Sequence, residues 1–477
     1  MVDRRFEVLR DGLIPRPGRH RSVVVVGAGI SGVVCARLLH DAGYEVQVLE
    51  ARDRAGGRLW AVDGVGGQYY ELGGMRFSES NQLAMEVFRQ AGVTVSPFPL
   101  QHKSFFFGGR HFHPDGFLPS SAGFDIPPED DRPLTELLDR VMAPVNAIYE
   151  RQDNDEEEAF FECLDRFDRY SIQTWLTERG LSPGAVNCLS LVNNIEGRLN
   201  FSFSEWAEYV RVDAFGPNLL YVEEGTTELM RRLVEPIAHL VRFGVQATRI
   251  EQSLSTATVH WRAGGREGSI RADEVILAVP PIVLRHIPIE GMSTAKDAAL
   301  RRTYCGRAAK VFLRFNRRWW DDIVGDKGGL AVTDLPVRNV LFTVAGQGDD
   351  PSRGAIIGSY TWESDSMVFA NLPVEERIER VLSDVELMYP EAVGSFEGGV
   401  AHDWGSDRWA GGVGGLFRPT EMSGDHYRDL IEPLGRVWFA GETYDRRSRR
   451  WVEGALKSAV KNCMALHDNA RDNLPLD

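Results

Sequence analysis

The chain has 477 residues, 43% of them hydrophobic and 26% charged, a globular balance that excludes a mainly disordered protein and leaves room for about three domains. A formal net charge of −15 opposes long-range attraction to nucleic acid or to an anionic membrane, so neither is expected as a partner. No window approaches the roughly 18 uninterrupted apolar residues of a membrane helix, and the polar opening segment lacks the core of a signal peptide, so the expected location is the cytoplasm.

The run RSVVVVG (residues 21–27) predicts a strand that leads into GAGISG (27–32), and residues 33–40 continue as a helix. In that order Gly27 makes the turn, Gly29 lets the backbone approach a pyrophosphate, and Gly32 lets helix and strand pack closely. The pyrophosphate would rest on the positive end of the helix. A second strand, 45–49, ends on Glu50, where a carboxylate accepts ribose hydroxyls and repels the 2′-phosphate of NADP. NAD and FAD both remain open here. The next segment, ARDRAGGRLW (51–60), sets Gly56 and Gly57 between Arg52 and Arg58, a second phosphate-contacting turn that suits an extended two-phosphate cofactor.

The succession GxGxxG, LEA, GGR resembles the opening of the flavin amine oxidase family. The likeness continues at ELGGMRF (71–77), DEVILAVPP (273–281), GRAAKVFLRFNRRWW (306–320), GRVWFAGETYD (435–445) and WVEGALKSA (451–459), and so covers nearly the whole chain in order. GGMR (73–76), LSPGAV (181–186), TDLPVR (333–338) and SYTW (359–362) make it most similar to L-amino-acid oxidases and tryptophan 2-monooxygenases.

The resemblance implies an α/β fold in which domains are woven from separate stretches. A Rossmann-type FAD-binding domain would take residues 20–75, 221–300 and 430–470. A mixed α+β substrate domain would take 76–113 and 301–425, and a helical domain 114–220 would cover the cavity mouth. The Pro-rich stretch 126–133 fits the start of that helical part, and DNDEEE (153–158) reads as a solvated loop. FAD contacts are implied at Gly27, Gly29, Ile30, Ser31, Gly32, Glu50, Ala51 and Arg52. They continue at Gly57, Arg58, Gly73, Gly74, Met75, Arg76, Ala247 and Trp404, and end at Gly441, Glu442, Trp451 and Val452.

Oxidising an amine requires a C–H bond aimed at the flavin and walls that exclude water; the cofactor supplies the difficult chemistry. Lys310 stands in the apolar run AAKVFLRF, where a charge is costly without a partner, and the matching family lysine holds a water against the flavin. A strand-edge lysine with its head in solvent is the plainer reading. Arg76, after two glycines and a methionine, could grip a substrate carboxylate through a planar fork. Trp451 matches the aromatic wall of the flavin face, and Tyr360 and Trp362 match an aromatic element facing the substrate.

Four departures qualify the likeness. Ser78 replaces a usual proline. Val413 and Gly414 stand where monoamine oxidases carry an attachment cysteine and a cage tyrosine, so FAD should be non-covalent and the pocket wider beside Gly414. The segment 202–215 has no histidine to act as a base. DRRSRRW (445–451) places Arg446, Arg447, Arg449 and Arg450 beside the flavin wall, read as solvated surface or as a contact for a second anionic group. The five cysteines, Cys35, Cys163, Cys188, Cys305 and Cys463, form no CxxC pair, and neither disulfides nor a metal site are expected.

The resemblance therefore implies oxidation of an L-amino acid to its imino acid, with molecular oxygen as second substrate and hydrogen peroxide as product. Two alternatives stay open: a monooxygenase that converts the imino acid to a decarboxylated amide, and a tailoring oxidase of a larger amine or amide. A non-catalytic FAD-binding protein would leave Lys310 and Trp451 without a reason for their places. A homodimer is compatible with all of these readings.

Overall fold

The four valines of Ser22–Val26 divide by the two-residue period of a strand, and that division organises the nucleotide half of the molecule. Val23 and Val25 face a core shared with Val33 and Val34 of helix Ile30–Asp41 and with Leu456 and Val460 of the C-terminal helix Val452–Asp472. Val24 and Val26 face a second core built with Ile250 and Val259 of a three-stranded antiparallel sheet. Covered on both faces, the strand sits centrally in a parallel sheet of order Val241–Arg242, Glu45–Leu49, Ser22–Val26, Glu274–Leu277, Val437–Phe439. The computed structural model describes residues 3–15, 21–98, 100, 102–152, 155–211, 218–325, 328–342, 346–348 and 350–472.

A seven-stranded sheet forms the other half. Its order is Phe396–Asp403, Ala308–Phe315, Gly354–Trp362, Asn339–Phe342, Gly329–Thr333, His102–Phe107, Arg110–Phe112. The strand carrying Lys310 pairs with a neighbour on each side, Lys310 opposite Tyr360 on one and His402 on the other. Lys310 is thus interior to the sheet, which removes the strand-edge reading.

Helices Leu134–Arg151, Glu156–Phe167, Ile172–Glu178, Pro183–Val192 and Phe203–Arg211 share a core that includes Val141, Leu176, Leu189 and Trp206. Ser182 caps the fourth of them by accepting from the Ala185 N–H, as LSPGAV suggests. The acidic run departs from its expected loop. Residues 153 and 154 lie outside the described residues, but the Asp155 side chain accepts from the Glu158 N–H and Glu156, Glu157 and Glu158 form the first helical turn. Acids are favoured there by the helix dipole. Helix Gln82–Ala91, grouped by sequence with the substrate stretch, puts Leu83, Val87 and Phe88 into the nucleotide-side core instead. No described helix is long and apolar enough to cross a membrane.

The closeness of turn and helix sets a test. A Cβ on Gly32 would stand 2.0 Å from the Gly27 carbonyl oxygen, a backbone atom that cannot swing aside. Gly32→Ala is expected to lower stability by about 1–3 kcal/mol or more and to reduce bound flavin, read by thermal unfolding and by flavin content. Unchanged values of both would contradict this packing role.

Candidate active site

Two glycine turns meet at one end of a cavity that both line. Gly27 holds a positive φ of 104° and donates to the Leu49 carbonyl, and Gly29 is the residue before the first helical turn at Ile30. Gly29 bridges to Gly56 of the second turn, and Gly57 comes so near that a Cβ there would lie 3.5 Å from the Gly29 Cα. A Cβ on Gly29 itself would meet nothing within 4 Å, so its bare face opens on the cavity. Ile30 and Ser31 line the same wall; Gly32 does not, because its role is the helix–turn packing.

Glu50 is buried at the cavity, where it accepts from the Ala28 N–H at 2.7 Å and the Arg52 N–H at 2.8 Å. Burial pushes its carboxyl up, and these two N–H groups oppose the shift. Ala51 and Ala247 complete this end. The flanking arginines are structural clamps as well as cavity walls. Arg52 pairs with Asp407 at 2.5 Å, and Arg58 donates to the Val413 carbonyl at 2.7 Å and to Glu442 at 2.9 Å.

At the other end Lys310 is 3% exposed and donates to the carbonyls of Glu71 at 2.8 Å and Gly73 at 2.6 Å. That leaves one of three ammonium donors for the cavity that Lys310 lines. Burial pushes Lys310 down to about 7, opposed by the Glu71 carboxylate and helped by Arg76. Burial pushes Glu71 up to about 7, opposed by its hydrogen bonds from the Thr226 N–H and hydroxyl and by Lys310. Tyr360 lies with its ring centroid 5.1 Å from the Lys310 Nζ and 5.0 Å from the ring of Trp362. Gly73, Gly74, Tyr360, Trp362, Trp404 and Trp451 all line this end. Trp404 is fixed by donating to the Leu72 carbonyl at 2.8 Å.

Three expected contacts stand differently. Gly73 lines the cavity, but a Cβ on it would strike the Arg58 carbonyl at 1.9 Å, so packing against 58–60 is what demands glycine there. Met75 is buried in the apolar cluster with Tyr360 and Phe312, off the cavity wall. Arg76 is also off that wall and 9% exposed, yet close enough for its charge to act on Lys310 and Tyr360.

Gly441, Glu442, Trp451 and Val452 close the far side. Glu442 accepts from Arg58 with one oxygen and from the Arg450 N–H, at 2.8 Å, with the other. The wider pocket expected beside Gly414 is absent, because Arg450 occupies it: a Cβ on Gly414 would lie 2.4 Å from the Arg450 Cγ. Nor is the arginine run solvated surface, since Arg449 is 4% exposed and Arg450 lines the cavity. Sequence reasoning missed Glu71 and Arg198, whose guanidinium lies 4.5 Å from the Trp362 ring centroid. ELGG carried Glu71 within a recognised block; nothing local signalled Arg198.

A family profile described as flavin containing amine oxidoreductase matches residues 30–467. The chain belongs to that family. It is 27% identical over 471 residues to an L-amino-acid oxidase of Siganus canaliculatus, covering 96% of this chain and 87% of that protein. It is 28% identical to L-amino acid oxidase Bs29 of Bothriechis schlegelii, covering 95% and 91%. In fold it is similar to a putrescine oxidase variant, with a TM-score of 0.78, 22% identity and coverage of 95% and 100%. Cyclohexylamine oxidase from Brevibacterium oxydans gives 0.75, 22%, 95% and 100%.

The protein is thus an FAD-dependent amine oxidoreductase, and its residues fit the cofactor. The open face of Gly29, the helix start at Ile30 and the Glu50 carboxylate are what a pyrophosphate and ribose require. None of the five cysteines is among the residues that line the cavity. Cys305 comes close in space, paired opposite Gly415 beneath the 410–413 loop, but burial pushes its thiol up to about 12 and leaves it inert.

Lys310 and Glu71 share one environment and titrate as a pair across neutrality. As pH rises through that range the ammonium gives up its proton, and the wild-type flavin half-reactions should gain a limb there. Lys310→Met should keep FAD, slow at least one half-reaction and lose the limb. Stopped-flow profiles that superimpose on wild type would assign Lys310 to structure.

Proposed function

We propose that the protein oxidises the Cα–N bond of an L-amino acid to the imino acid, with oxygen reduced to hydrogen peroxide. The observation that carries this reading is a buried guanidinium, Arg76, set behind the cavity wall with its charge acting on Lys310 and Tyr360, which line the cavity together with Trp362 and Trp451. FAD, when bound, supplies the two-electron acceptor that side chains lack. Arg76 would hold the substrate carboxylate, which fixes the orientation of the α-carbon. Trp451, Trp362 and Tyr360 restrict water and confine the amine. Lys310, held by two carbonyls, offers one directed donor when charged and an acceptor when neutral.

The curated relatives named as L-amino-acid oxidases over nearly all of their length support this choice. The tailoring alternative drew on an opening beside Gly414 and on Ser78; Arg450 fills the first space, and Ser78 lines a separate chamber.

A peroxide screen across amino acids and amines tests the reading, with carbon dioxide yield as the mark of a monooxygenase. A shielded guanidinium–carboxylate contact is worth about 2–5 kcal/mol when one partner is removed. Arg76→Ala should therefore lower kcat/KM for the amino acid by about 30-fold to several thousand-fold, while the decarboxylated amine is almost unaffected. Arg76→Lys should rescue in part, since it keeps charge and loses the fork. Equal loss on amine and amino acid, or a wild type that prefers substrates without a carboxylate, would replace this reading with an amine oxidase.

A further inference from the structure

Beyond Trp451 the flavin cavity adjoins a polar chamber, and the two share Arg450 and Trp451 as walls. Ser78, Glu205, Tyr209 and Arg449 also line the chamber. Arg450 holds a φ of 63°, a left-handed conformation that favours glycine. The strained residue projects its side chain across Gly414, 5.2 Å from the Tyr209 ring centroid and 3.2 Å from Glu205.

Arg449 is the unmatched charge. Its side chain is 4% exposed, and among the described residues neither its Nε nor its Nη1 has a hydrogen-bond partner. Its flat face lies over Phe417, 5.5 Å from the centroid. The chamber acids do not serve it: Glu205 pairs with Arg450, Glu208 with Arg211 at 3.0 Å, Glu156 with Arg447 and Arg211, and Glu453 with Lys457 at 3.8 Å, while Glu79 is exposed. Arg446 adds a like charge that repels Arg449, and among the described residues its Nε also has no hydrogen-bond partner. A guanidinium cannot shed its proton to relieve this, so it calls for an anion.

We propose that Arg449, with Arg450 at the neck between the two spaces, binds a second carboxylate on the substrate and selects amino acids with acidic side chains. The proposal rests on the amino-acid reading of the flavin cavity, in which Arg76 takes the first carboxylate. Arg450, reaching both spaces, would guide the distal group past Trp451 to the N–H groups of Arg449. The source of the anion is thereby the substrate itself, and a free inorganic anion is the competing outcome.

The test uses the FAD-loaded enzyme and glutarate, which has two carboxylates and no amine. Glutarate should raise the wild-type Tm, perturb the visible flavin spectrum and compete with substrate. Arg449→Met, which removes an uncompensated buried charge, should have an unligated Tm at or above wild type and no glutarate response. The ratio of kcat/KM for an acidic side chain to that for its amide counterpart should fall about 30-fold in Arg449→Met and recover in part in Arg449→Lys. A wild type indifferent to that pair, equal loss on both, or a lower Tm with the glutarate response intact would overturn the proposal. So would protection by phosphate or chloride equal to that by glutarate, without competition. Should no amino acid be oxidised, the Tm and spectral responses to glutarate still decide the anion site, so the two failures are separable.

Discussion

The site depends on one buried cation held by carbonyl oxygens. Lys310 comes from the interior of the seven-stranded sheet, and its acceptors, the carbonyls of Glu71 and Gly73, come from the segment leading out of the nucleotide half. An ammonium in that place costs several kcal/mol in lost hydration; hydrogen bonds to the two carbonyls and the Glu71 carboxylate offset part of that cost. The contact therefore does two things at once. It ties the seven-stranded sheet to the segment 71–73, and it holds an ionisable nitrogen at the cavity with its pKa pushed down by burial.

The cofactor end is built on close backbone approach more than on side chains. The Gly56 contact with the Leu59 carbonyl, the Gly73 contact with the Arg58 carbonyl and the Gly32 contact with the Gly27 carbonyl each need a missing Cβ. Arg52 and Arg58 then tie these turns to Asp407, Val413 and Glu442. Glu442 receives the Arg450 N–H in turn, so one carboxylate links the cofactor clamps to the arginine-rich loop before Trp451. A change in that loop is coupled to the flavin wall through two hydrogen bonds.

Sequence carried the local order well. The strand, glycine turn and helix were legible because each is set by neighbours in the chain, and the alternation of Val23 to Val26 already divides two cores. Lys310 stood out because a charge in an apolar strand demands a partner. The partner itself, Glu71, was hidden, since 239 positions separate the bonded residues. Runs of charge misled for the same reason. DNDEEE reads as solvated until a helix start gives its acids a dipole, and DRRSRRW reads as surface until folding encloses Arg449. Gly414 suggested an opening because sequence shows the small residue and not the Arg450 side chain laid across it.

A carboxylate-bearing amine, on this reading, is presented to FAD at the cavity end lined by Lys310 and Trp451, with Arg76 behind the wall. Anaerobic mixing of the FAD-loaded enzyme with an L-amino acid, its D enantiomer and its decarboxylated amine, followed at the visible flavin band, tests it most directly. Rapid bleaching is expected with the L-amino acid, and slow or no bleaching with the other two. Equal bleaching by the amine, or none by any amino acid across acidic, neutral and basic side chains, would contradict it.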